Sequence, residues 1–128
     1  MILVARQLEQ AQPRHVSRVN HGGFHVEAAR EFIIKHLDTP LSLETIAGHL
    51  QISPEHLARV WKATTGTTLF DFVRRARTER AKTLLTASDA NISQIAAACG
   101  FSSLSLFSRT FKHATGLSPG NYREQLTA

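Results

Sequence analysis

Cysteine is nearly absent, with Cys99 the single one in 128 residues. It cannot form an internal disulfide, and it leaves Cys₄, Cys₃His and Cys₂His₂ zinc sites short of ligands. A secreted domain held on disulfides is excluded. Long apolar runs are also missing: the unbroken ones extend only a few residues, as at Ile95–Cys99, far short of the roughly 20 needed to cross a bilayer. The opening residues Met1-Ile2-Leu3-Val4-Ala5-Arg6 lack the apolar core and small-residue cleavage site of a secretory signal. No alternating run is long enough for a strand. Paired carboxylates, a Gly-rich phosphate loop and a Ser/His/Asp set are not found at catalytic spacings, so an enzyme is not expected. The histidines are scattered. His21 and His25 have a metal-like spacing but flank Gly22-Gly23, and neither a metal nor a cofactor is expected.

What is present is a globular composition, 42% hydrophobic and 20% charged, with an uneven distribution of charge. Residues 1–55 carry five basic and six acidic side chains, whereas residues 56–128 carry ten basic and four acidic. Such a skew suits a polyanionic partner, either nucleic acid or an anionic membrane face.

Residues 1–25 are expected to be a flexible arm or linker, because Pro13 and His21-Gly22-Gly23 interrupt a weakly apolar stretch. From Val26 onward the pattern is helical. Ala29, Phe32, Ile33 and Leu37 share a face up to the break at Asp38-Thr39-Pro40. Ser42 caps a short helix carrying Leu43, Ile46, Ala47 and Leu50, and Ser53-Pro54 opens another that buries Leu57 and Trp61 and stops at Gly66. A long helix is predicted over 68–86, followed by helices near 92–99, 103–115 and 119–126. The expected fold is all-α with seven helices. Its divisions are a first subdomain at 26–67, a linking helix at 68–86 and a second subdomain at 87–128.

The sequence repeats itself. Leu43-Glu44-Thr45-Ile46-Ala47 matches Ile92-Ser93-Gln94-Ile95-Ala96. Leu57-Ala58-Arg59-Val60-Trp61-Lys62-Ala63-Thr64-Thr65-Gly66 matches Phe107-Ser108-Arg109-Thr110-Phe111-Lys112-His113-Ala114-Thr115-Gly116, and Phe72 answers to Tyr122. The register shifts by one residue between the blocks, so the second copy has one more residue around its turn. Each copy reads as short helix, turn and longer helix, a helix-turn-helix. Gly100 suits a left-handed turn residue in the second copy. Gln51 holds that place in the first, at a cost of about 1 kcal/mol for a side chain in that conformation.

In such a motif the second helix pins one face to its domain and offers the other to the DNA major groove. Candidate base contacts are Glu55, Ala58 and Arg59 in the first copy and Leu104, Ser105, Ser108 and Arg109 in the second. Arginine bonds guanine O6 and N7, glutamate accepts from cytosine N4, and alanine or leucine can touch a thymine methyl. Lys62 and Lys112, one turn on, are candidate phosphate contacts. So are Ser53, Ser102 and Ser103 at helix starts, where free N–H groups favour phosphate. On the linking helix Arg74 and Arg75 are the phosphate candidates, while Arg77, Arg80 and Lys82 read as a charged exposed face and Glu79 as a partner for a neighbouring arginine. Nineteen residues at 1.5 Å make a rod of about 28 Å. With the width of the motifs added, the two reading helices would lie roughly 34 Å apart, one turn of B-DNA. The alternatives are a helical protein-interaction module without specific DNA binding and, more remotely, an enzyme using Cys99. Cys99 itself reads as a core residue.

Together, Pro40-Leu41-Ser42-Leu43-Glu44, Ile52-Ser53-Pro54-Glu55-His56-Leu57-Ala58-Arg59, Cys99-Gly100-Phe101-Ser102-Ser103, Phe107-Ser108-Arg109-Thr110-Phe111-Lys112 and Gly116-Leu117-Ser118-Pro119-Gly120-Asn121-Tyr122-Arg123 resemble the DNA-binding domain of the AraC/XylS family of bacterial transcription regulators. The resemblance covers about three quarters of the chain, from Val26 to Arg123. It implies two helix-turn-helix subdomains on a central helix, binding promoter DNA in the cytoplasm, in association with the nucleoid, and usually activating transcription through RNA polymerase. It implies no membrane partner. Two departures stand out: Gln51 replaces the family's usual turn glycine, and Leu104 and Leu106 stand where polar or aromatic residues are common. The family usually adds an N-terminal effector-sensing or dimerisation domain. With about 25 residues before Val26, a stand-alone small regulator or a fragment is expected, with the effector domain absent and no ligand pocket.

Overall fold

The structure, a computed structural model, describes the backbone of residues 14–127 and the side chains of residues 22–126. Among the described residues there are seven α-helices and no strand: α1 (Arg14–Lys35), α2 (Leu43–Leu50), α3 (Pro54–Thr65), α4 (Leu69–Ala87), α5 (Ile92–Ala98), α6 (Leu104–Thr115) and α7 (Pro119–Thr127).

Local chemistry sets most of the boundaries. Ser42, Ser53 and Ser103 each accept the N–H three residues on, from Thr45, His56 and Leu106, which satisfies one of the open donors at a helix start. Thr68 with Asp71 and Asn91 with Gln94 form reciprocal capping boxes at α4 and α5. The ends of α3 and α6 are the same device twice. Gly66 and Gly116 turn left-handed, with N–H bonds to the Lys62 and Lys112 carbonyls. The Thr65 hydroxyl reaches the Trp61 and Thr67 carbonyls, as that of Thr115 reaches Phe111 and Leu117.

Two separate cores result. Val26, Ala29, Ile33, Ile46, Ala47, Leu57 and Trp61 fill the first. Ala81, Leu85, Ile95, Ala96, Cys99, Phe107 and Phe111 fill the second. Helix α4 walls both, giving Leu69 and Val73 to the first core and Ala81 and Leu85 to the second. It is therefore part of each subdomain as well as the connection between them.

The start of α1 differs from the sequence reading. Residues 1–13 of the expected arm lie outside the described residues, but the backbone is helical from Arg14 and runs through His21-Gly22-Gly23. Two mid-helix glycines cost about 1 kcal/mol each relative to alanine. Packing on α3 opposes that cost: a Cβ at Gly22 would stand in ordinary contact with the Val60 and Thr64 side chains, at 3.5 and 3.7 Å. Burial among the described side chains begins at Val26.

Candidate nucleic-acid interface

Both turns form as the repeat requires. Gln51 adopts φ +62 and Gly100 φ +91. The backbone bonds Ile52 N–H to Ala47 and Phe101 N–H to Ala96 are equivalent, as are Leu57 N–H to Ser53 and Phe107 N–H to Ser103. The additional residue of the second copy is thereby placed at Ser102, between Phe101 and the cap Ser103.

The inward stripes, Leu57 with Trp61 and Phe107 with Phe111, are fully buried. On the other side Glu55, Ala58, Arg59 and Lys62 of α3 are exposed, as are Leu104, Ser105, Arg109 and Lys112 of α6, while Ser108 is half-buried. Ser53, Ser102 and Ser103 are exposed in the turns. The hydroxyls of Ser53 and Ser103 accept as caps, which leaves each free to donate to an anion. All fourteen predicted contact residues belong to α3, α6, α4 or the turns. Arg74 and Arg75 are exposed on α4, with Arg74 paired to Asp71.

The repeated arginines have different surroundings. Arg59 lies 3.1 Å from His56 Nδ1, and the His56 ring meets that of His25 edge-on at 5.7 Å, because α1 runs along α3. In the second copy α4 runs along α6, and the two enclose an open groove of about 760 Å³. Arg74, Arg75, Lys82, Arg109 and His113 line it, together with Asp71 and Glu79. The flanks of the two helices leave a solvent-open space that residue periodicity within either one does not register. Glu79 pairs with Lys82 at 2.8 Å, not with an arginine, and this hydrogen bond raises the lysine pKa. The groove stays cationic, since Arg75 and Arg109 add charge beyond its two ion pairs.

Three arginines have structural places that the sequence did not reveal. Arg77 is half-buried and donates to the Leu37 and Thr39 carbonyls at 3.1 and 2.9 Å. Arg123 donates to the carbonyls of Leu85, Ser88 and Ala90. Partners 33 to 40 residues away leave no trace in a helical period. Arg30 is a third case, its guanidinium 5.5 Å from the Trp61 ring centre and 5.3 Å from that of Phe72.

Cys99 is fully buried. Burial raises its thiol pKa against the opposing pull of Arg80 and Arg77, which keeps it an unreactive core thiol. No helix among the described residues is long and apolar enough to cross a membrane.

The model of the helix-turn-helix domain family matches residues 46–125. The transcriptional activator RhaR of Cronobacter sakazakii is 37% identical over 89 residues, which cover 70% of this chain and 31% of that protein. Among solved structures, an AraC-type DNA-binding-domain regulator from Chromobacterium violaceum is 30% identical, with a TM-score of 0.75 over 82% of this chain and 94% of that one. The DNA-binding domain of the global transcription factor AdpA, solved with a target DNA, is 26% identical, with a TM-score of 0.74 over 78% and 90%. The chain belongs to the AraC-type helix-turn-helix family. That family and fold are those of DNA-binding transcription regulators and not of enzymes. The chain spans about a third or less of the length of the curated relatives it matches.

Proposed function

We propose that this chain binds promoter DNA sequence-specifically, by placing α3 and α6 in successive major grooves on one face of the duplex. The observation that carries the proposal is the duplicated presentation: two capped helices anchored by equivalent apolar pairs, each exposing an arginine and, three residues on, a lysine. Arg59 and Arg109 are assigned to guanine, Glu55 to cytosine N4, Ala58 and Leu104 to thymine methyls, and Ser105 and Ser108 to base edges. Ser53, Ser102, Ser103, Lys62, Lys112, Arg74 and Arg75 are assigned to phosphates. The cationic groove between α4 and α6 would lie over the backbone between the two major grooves. The site read is asymmetric, since the two copies expose different residues. The subdomain division at residues 26–67, 68–86 and 87–128 follows the same reading, and so does action in the cytoplasm, on the nucleoid, as an activator that contacts RNA polymerase.

Selection of bound duplexes from a random library tests this directly. The expected result is one asymmetric motif in two parts about one helical turn apart, protected on a single face in footprinting. A library that yields no enriched sequence, or protection over only half that length, overturns the proposal.

A further inference from the structure

The two cores have no residue in common, yet recognition of two grooves requires a fixed angle between them. Three parts of the chain meet at Arg77, midway along α4. From the first subdomain come the Leu37 and Thr39 carbonyls, just beyond the end of α1, and the guanidinium donates to both. These carbonyls follow the C-terminal, partially negative end of α1, so a cation is well matched there. From the second subdomain comes Gly100, the turn residue of the second motif. A Cβ added at Gly100 would overlap the Leu37 carbonyl oxygen and fall 2.8 Å from Arg77 Nε and 3.0 Å from Cζ. The turns at Gly66 and Gly116 have φ values of +83 and +86, but an added Cβ there would meet nothing within 4 Å. Gly100 is thus set apart by a close approach between the two halves as well as by its backbone conformation.

We infer that Arg77 is a positioning residue for two-groove recognition: its guanidinium, tying the end of α1 to α4 while the Gly100 turn presses on both, holds the two reading heads at one angle and so selects one spacing of half-sites. The inference rests on the proposed DNA reading for its purpose but not for its physical content, which is that the heads move as one body. A planar, forked guanidinium spans two carbonyls, whereas a lysine ammonium supplies a point charge. Without the fork the second head binds from a broader range of orientations, and the local concentration it gains from the first head falls.

The test uses the whole 128-residue chain and the variants Arg77→Gln and Arg77→Lys, the second serving if the first does not fold. Without DNA, ¹⁵N relaxation of the native chain should give both heads one rotational correlation time, and the variants should give two. On selected duplexes, the variants should lose about tenfold or more in affinity for the two-part site but less than twofold for either half-site alone. They should also tolerate one or two added base pairs between half-sites that the native chain rejects. Heads that already tumble separately in the native chain overturn the inference, as does an unchanged spacing profile in a folded variant. Should selection give no two-part site, the DNA reading fails and the relaxation contrast alone decides the clamp.

Discussion

At the scale of single residues, arginines that look alike in the sequence divide into two kinds. Arg59 and Arg109 stand exposed at matched positions of the two copies, and each is assigned to guanine. Replacing either by alanine should weaken binding to the selected site by about 1–3 kcal/mol while leaving affinity for random duplex nearly intact. Competition binding with both duplexes checks this, and equal losses on both would remove the residue from the base contacts. Arg77 and Arg123 instead spend their donors on main-chain carbonyls. Sequence patterning recovered the outward arginines because the repeat set each beside an apolar stripe. It missed the inward-bonded ones because a side chain's distant acceptor has no local signature. Gly100 allows a second prediction. Gly116→Ala asks a side chain to hold φ +86 in open space, a cost of about 1 kcal/mol. Gly100→Ala adds collision with the Leu37 carbonyl and should lower stability by clearly more, of the order of 3 kcal/mol in total. Urea unfolding of the two variants compares them, and equal midpoints would mean that the Gly100 turn has room.

At the scale of helices, the caps were legible and the start of the first helix was not. Ser42, Ser53 and Ser103 stand where a polar side chain precedes an apolar period, and each does cap. By contrast α1 carries two adjacent glycines, and its continuity depends on a neighbour, α3, that appears thirty residues later. Tertiary packing overrides propensity there. The start of α4 gives a pH prediction. The Asp71 carboxylate is held below its ordinary pKa first by the Thr68 hydroxyl, and further by the Thr68 N–H and Arg74, which together outweigh the opposing effect of desolvation. A carboxylate with a lowered folded-state pKa contributes stability that is complete above its unfolded pKa of about 3.9 and lost as pH falls through the folded value. Asp71→Asn should therefore lower the melting temperature at pH 7 and have progressively less effect below pH 4. Thermal unfolding followed by circular dichroism checks it, and a difference that persists undiminished at pH 2 would assign the effect to packing.

At the scale of the whole molecule, the excess of positive charge in the second half is distributed as a binding surface requires, but its total overstates the charge offered to DNA. Arg77 and Arg123 are engaged with carbonyls and Lys82 pairs with Glu79, while Arg74, assigned to phosphate, shares its charge with Asp71. Lys62 and Lys112, at the last turns of α3 and α6, and Arg75 remain exposed beside the two reading helices. Duplex binding that neutralises phosphates releases condensed counterions, so log affinity falls with log salt at about 0.9 per phosphate contact. Lys62→Ala removes one assigned contact and should lower that slope by about 1. Because a phosphate carries no sequence information, the loss should be similar on selected and random duplexes, unlike that of Arg59→Ala. Titrations at several salt concentrations on both duplexes separate the two roles. An unchanged slope for Lys62→Ala would show that its ammonium stays in solvent when the complex forms, and the phosphate contact near the end of α3 would have to come from another group.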